Sequence, residues 1–116
     1  MSEIVRLKPG PRMSAGVRYG GLLFTAGHVD AQARDVAGQM KNVLAKLDTL
    51  LEEAGTARSR ILSANIWLAD IASFEAMNVV WDAWIDPRNP PARATVEAKL
   101  AAPEYLVEVS LVVALD

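Results

Sequence analysis

The sequence predicts an α+β fold: a six-stranded mixed sheet with two helices packed on one face, in the chain order β-β-β-α-β-α-β-β. Two stretches repeat their apolar residues at three- and four-residue steps, as amphipathic helices do. The segments around them alternate apolar and polar residues with a period of two, as strands do. The chain has 116 residues, 52% of them apolar, which is the size of one domain (1–116) with material for a real core.

Taken in order, "KPGPR" reads as a turn or exposed connection, because proline and glycine interrupt a ladder. "GVRYGG" and the apolar run "LLFTAG" follow, with a hairpin turn at "YGG". From Asp35 the period changes: Val36, Met40, Val43, Leu44, Leu47, Leu50, Leu51 and Ala54 make one helical stripe. Asp35 suits its N-cap and Gly55 its close. In "RILSANIWLAD", Leu62, Ala64, Ile66 and Leu68 alternate with Ser63, Asn65 and Trp67, a strand pattern. Asp70 or Ser73 then caps a second helix with the stripe Phe74, Met77, Trp81, Trp84 and Ile85, which "DPRNPP" ends at Pro87. Two last strands, "ARATVEAKL" and "YLVEVSLVVAL", are joined through "AAPE".

Each of these last strands has a dry side and a mixed side. Val107, Val109, Leu111 and Val113 oppose Leu106, Glu108, Ser110 and Val112; Ala94, Val96 and Ala98 oppose Arg93, Thr95, Glu97 and Lys99. Placing the dry sides under the helices leaves Arg93 and Glu108 together on the outer face, beside Asn65 and Trp67. A sheet face carrying Trp and Val beside charges suits a subunit interface with pockets, and the high apolar share also points to a homo-oligomer.

Composition removes several classes of function. The net charge is −2, with no basic block, which argues against an electrostatically driven nucleic-acid partner. There is no cysteine, so disulfides, thiolate nucleophiles and Cys-ligated metals are out. The N-terminal stretch lacks an apolar core of signal-peptide length, and no run approaches the roughly 20 apolar residues of a membrane span, so the expected location is cytoplasmic, with no membrane partner. Ser14, Ser63 and Ser110 have no credible base partner for serine hydrolysis. One histidine, His28, with scattered carboxylates makes no metal constellation. His28 reads either as a proton donor or as a half-buried loop histidine. Trp81 and Trp84 lie on the helix stripe and read as core, whereas Trp67 could line a cleft or interface.

Arginine offers a planar fork of donors for a carboxylate or phosphate, and a glutamate beside it could accept a proton or orient water. Arg93 and Glu108 therefore read as an anion clamp with a water-directing acid. The alternative is that they pair with each other, or with Lys99 and Glu97, as interface ion pairs.

"PPARATVEA" followed by "YLVEVSLVVA" resembles the C-terminal signature of the Rid family (YjgF-type, reactive-intermediate deaminases). "LLFTAGHV" is similar to that family's "(I/L)(I/V)(T/S)SGQ(I/V)" strand. The stretch from Asp35 to Ile85, with Gln39, the "EAG" turn and Asn78, resembles its middle, so the likeness runs from about Arg12 to Ala114. The resemblance implies a chorismate-mutase-like sheet, a homotrimer with a cleft at each subunit boundary, and hydrolysis of reactive 2-imino acids and enamines to 2-oxo acids and ammonia with no metal or cofactor. It implies that Arg93 clamps the substrate carboxylate and Glu108 directs the attacking water. It further implies that Thr95, through its backbone, and Gly27 and Asn78 line the site. The chain departs from the family pattern at Met13, which stands where many members carry a tyrosine, at Thr95 in place of a common cysteine, and at His28 in place of a glutamine. A roomier pocket with Met13 as a thioether wall could take a larger or more apolar imino acid. Two other readings remain beside the enzyme: a non-catalytic trimeric module binding a small carboxylate metabolite, which Met13 favours, and RNA cleavage, which the acidic balance disfavours.

Overall fold

The longest element, α1 (Val36–Ala54), forms as its sequence predicts. Asp35 accepts the Gly38 N–H at 2.8 Å, Gly55 closes the helix in the left-handed region, and the whole predicted stripe is buried. The computed structural model describes residues 3–116. The remaining elements are β1 (Val5–Pro9), β2 (Ser14–Tyr19), β3 (Leu22–Thr25), β4 (Ile61–Leu68), α2 (Phe74–Trp84), β5 (Ala92–Glu97) and β6 (Val107–Ala114). They build the expected six-stranded mixed sheet, in the order β1-β2-β3-β6-β4-β5. The β4–β5 pair is parallel, and the other neighbours are antiparallel. Parallel strands need a crossover, and α2 supplies it.

Leu23, Ala64, Ile66, Leu68, Val107, Val109, Leu111 and Val113 meet the stripes of α1 and α2 in one core. Both helices therefore cover the same face, and the other face is left bare. Gly20 and Gly21, both at positive φ, make the two-residue hairpin turn between β2 and β3. Gln39, 1% exposed, donates to the carbonyls of Ala33 (3.0 Å) and Glu104 (2.8 Å) and accepts the Leu106 N–H at 2.9 Å, tying α1 to the entry of β6.

The structure corrects several details. Strand β1 runs into "KPGPR" as far as Pro9, which an edge strand tolerates, and the turn closes by a bond from the Gly10 N–H to Met13 O at 2.8 Å. A bulge between Ile61 and Ser63 turns Leu62 out to solvent and buries Ile61, against the predicted alternation. Asp70 caps a short 3-10 turn, Ile71–Ser73, through the Ala72 N–H, and Ser73 makes no side-chain cap to α2.

The largest correction concerns β5. Its parallel register sets Arg93 beside Ala64, Thr95 beside Ile66 and Glu97 beside Leu68. Neighbouring residues in register share a face. Arg93, Thr95 and Glu97 therefore lie on the helix side, and Ala92, Ala94 and Val96 on the bare side, the reverse of the predicted facing. The physical reason is position. On an edge strand the helix layer thins out, so polar residues bond to its rim: Glu97 accepts the Ile71 N–H at 3.0 Å and Arg93 reaches α2.

Candidate functional site

Glu108 stands on β6 opposite Trp67 of β4, half-buried on the bare face, as predicted. Its carboxylate lies directly over Gly27. A Cβ on Gly27 would come within 2.8 Å of the Glu108 carboxyl carbon, so only glycine leaves room for this placement. The next residue, His28, bridges Val109 through both backbone bonds (2.8 and 3.1 Å). Its Nε2 lies 3.2 Å from the Ala15 carbonyl; a carbonyl only accepts, so Nε2 carries the proton. Burial lowers the His28 pKa, with Lys46 and Lys8 adding to the effect and the Ala15 bond and Glu108 opposing it. The ring is therefore neutral at pH 7.

Arg93 is built differently. Its Nη1 donates to Asn78 Oδ1 at 2.7 Å, and its guanidinium carbon lies 5.7 Å from the Phe74 ring and 5.4 Å from the Trp81 ring. Among the described residues no carboxylate lies within salt-bridge distance of it, so the ion pairs with Glu108 or Glu97 do not form within the chain. Thr95 follows on the same face, its Oγ1 buried without a hydrogen-bond partner among the described residues. The bond from the Ala98 N–H to Leu68 O (2.9 Å) sets the ladder alternation, which turns the Thr95 N–H and C=O to the free edge of the sheet.

Arg93 and Glu108 are thus not brought together within one chain. They lie three residues apart along the strands and two strands apart across the sheet, about 10 Å in each direction, and on opposite faces. Asn78 joins Arg93; Gly27 joins Glu108. Met13 is 63% exposed in the turn between β1 and β2. Trp67 shares the face of Glu108, while Trp81 and Trp84 are buried as predicted. The apolar groove of about 520 Å³ between α1 and α2, lined by Ala76, Val79 and Trp84 among others, holds none of the predicted site residues. The placement of Phe74 and Trp81 beside Arg93 does not follow from the strand and helix patterns alone; their spacing from Asn78 on α2 is the signal the sequence offers for it.

The model of the family described as Endoribonuclease L-PSP matches residues 3–115. A RutC family protein of Haemophilus ducreyi is 37% identical over 114 residues, spanning 97% of both chains, and the RutC family protein YoaB of Escherichia coli is 40% identical over 111 residues, spanning 96% of this chain and 97% of its own. This chain belongs to the L-PSP (YjgF/Rid) family. A crystal structure of a YjgF family member from Neisseria meningitidis superposes with a TM-score of 0.95 at 39% identity, covering 97% of this chain and 94% of that one. The YjgF/Rid sheet, with its two helices on one face, is therefore the frame on which these side chains sit. Among the described residues no helix is long and apolar enough to cross a membrane.

Proposed function

We propose that this protein hydrolyses reactive 2-imino acids and their enamine tautomers to 2-oxo acids and ammonia, in clefts between the subunits of a homotrimer. One observation carries the reading: an arginine without a carboxylate partner among the described residues and a glutamate folded over a glycine lie on opposite faces of one sheet. A second copy seated on the bare face lets one chain's Arg93 meet its neighbour's Glu108. That face carries Tyr19, Phe24 and Val96, each 44–51% exposed, beside half-buried Trp67 and Val112, apolar surface that a partner would cover.

Arg93 grips the carboxylate and fixes the imine for attack. Glu108 takes a proton from water as its oxygen bonds to the C=N carbon, and returns it to the nitrogen. The hydroxyl proton of the adduct then passes through Glu108 to the nitrogen, the C–N bond breaks, ammonia leaves, and the carbonyl forms: imino acid plus water gives oxo acid plus ammonia. Thr95 contributes backbone groups, Gly27 gives Glu108 its place, and Met13 forms an apolar wall. No metal or cofactor takes part, and the expected setting is the cytoplasm.

The test generates 2-imino acids from L-amino acids with an amino-acid oxidase and traps survivors with semicarbazide. The protein should lower the trapped amount, Arg93→Ala and Glu108→Ala should abolish this, and sedimentation should give an assembly of three 12.5 kDa chains. A monomer without effect on any imine refutes the reading. A second reading, a carboxylate-binding module without turnover, is favoured by Met13, which has no hydroxyl to donate. A trimer that hydrolyses nothing yet binds pyruvate through Arg93 would support it.

A further inference from the structure

Phe74, Asn78 and Trp81 stand four and three residues apart, on one side of α2, and all three touch the Arg93 guanidinium. We propose that they are positioning residues, a cradle that holds the guanidinium in one orientation for an incoming carboxylate, and that Asn78 acts through Arg93 rather than on the substrate. This rests on the anion-gripping role of Arg93 proposed above.

The chemistry of the three contacts fits holding rather than neutralising. A guanidinium has five N–H donors, and Asn78 accepts one of them. The amide is uncharged, so the positive charge stays available. Aromatic faces attract the cation through their quadrupoles and consume no donor. The plane is thus held by two rings and its rotation by one hydrogen bond, with donors left for a bidentate carboxylate. An unheld arginine loses rotamer freedom when it grips a ligand, and a held one has already lost it. The cradle is itself anchored. Trp81, 5% exposed, packs on Trp84 at 5.7 Å and 44°, and the Trp84 Nε1 donates to Asp48 Oδ2 on α1 at 3.0 Å.

The probe is pyruvate, titrated by calorimetry against the intact assembly, alongside imine kinetics and NMR of the arginine side chains. Asn78→Ala and the partly buried Phe74→Leu should each raise the pyruvate Kd and the imine KM about tenfold, the loss falling on KM rather than kcat. The Arg93 side-chain resonance, displaced by the two rings in the native protein, should move towards the ordinary arginine position in Phe74→Leu. Asn78→Asp keeps an acceptor at the same place but adds a charge that competes for the fork, so it should leave the resonance displaced and still weaken pyruvate by more than Asn78→Ala. If Arg93→Ala abolishes binding while Asn78→Ala and Phe74→Leu bind as native, the cradle is overturned and the proposed function stands. Asn78→Asp binding pyruvate as well as native also overturns the cradle. If native protein binds no pyruvate, or Arg93→Ala binds it normally, both fall.

Discussion

Replacing Gly27 with alanine separates the role of Glu108 from the stability of the fold. The added methyl carbon would overlap the Glu108 Oε2 outright, and it would stand 2.8 Å from the carboxyl carbon and 3.2 Å from Cγ. Non-bonded carbons rest at about 3.5–4.0 Å, and the overlapped oxygen must clear as well, so the carboxyl group must retreat by at least about 1 Å. Gly27 is not at positive φ, so alanine meets no backbone penalty, and it stiffens the unfolded chain, which favours folding by up to about 1 kcal/mol. The obstructing group is the end of a half-buried, flexible side chain. The melting midpoint should therefore stay within about 4 °C of native, on the scale of about 1 kcal/mol for a chain of this size. Turnover behaves otherwise, because a 1 Å misplacement of a working group costs about 10²-fold. Semicarbazide trapping should show imine hydrolysis reduced by about that factor. Gly16→Ala is the control: its Cβ would lie 3.2 and 3.3 Å from the buried side chains of Leu50 and Leu23, so it should destabilise by about 1–3 kcal/mol and leave turnover per folded trimer intact. Native turnover in Gly27→Ala would refute the placement of Glu108 as the water-directing group.

Gln39→Leu removes three hydrogen bonds from a site 1% exposed and strands two carbonyls and the Leu106 N–H, so urea unfolding should show a loss of about 2–4 kcal/mol. His28 should give stability a pH slope. Its folded pKa lies below the ordinary 6.5, so the unfolded chain takes up the proton first, and stability falls as pH drops from about 6.5 to the folded pKa and levels off below it. His28→Gln should flatten the slope in that window, measured as melting midpoint against pH, and an unchanged slope would show that other groups produce it.

The helices were legible because their signals are local: a cap, a stripe and a closing glycine fixed α1, and the same reading found most of α2. Strand facing is decided elsewhere. Ala94, Val96 and Ala98 look like a core-facing set, but which way an edge strand faces depends on the parallel register that the α2 crossover imposes. The bulge at Ile61/Ser63 likewise shifts one strand against its own pattern. For the candidate site, residue types were readable and their grouping was not: sequence alternation set Arg93 beside Glu108, whereas the register gives Arg93 to the helix side with Asn78 and leaves Glu108 on the bare side over Gly27. That division bears on the chemistry. An arginine and a glutamate side by side on one face of one chain would form an ion pair that occupies the clamp's donors. Held on opposite faces, about 10 Å apart both along and across the sheet, they are kept from that pairing, and the proposed reaction requires one copy's rim to meet another copy's open face. On this reasoning dilution to monomers should abolish turnover while each chain remains folded, and monomers that still hydrolyse imines would show that one chain holds the whole site.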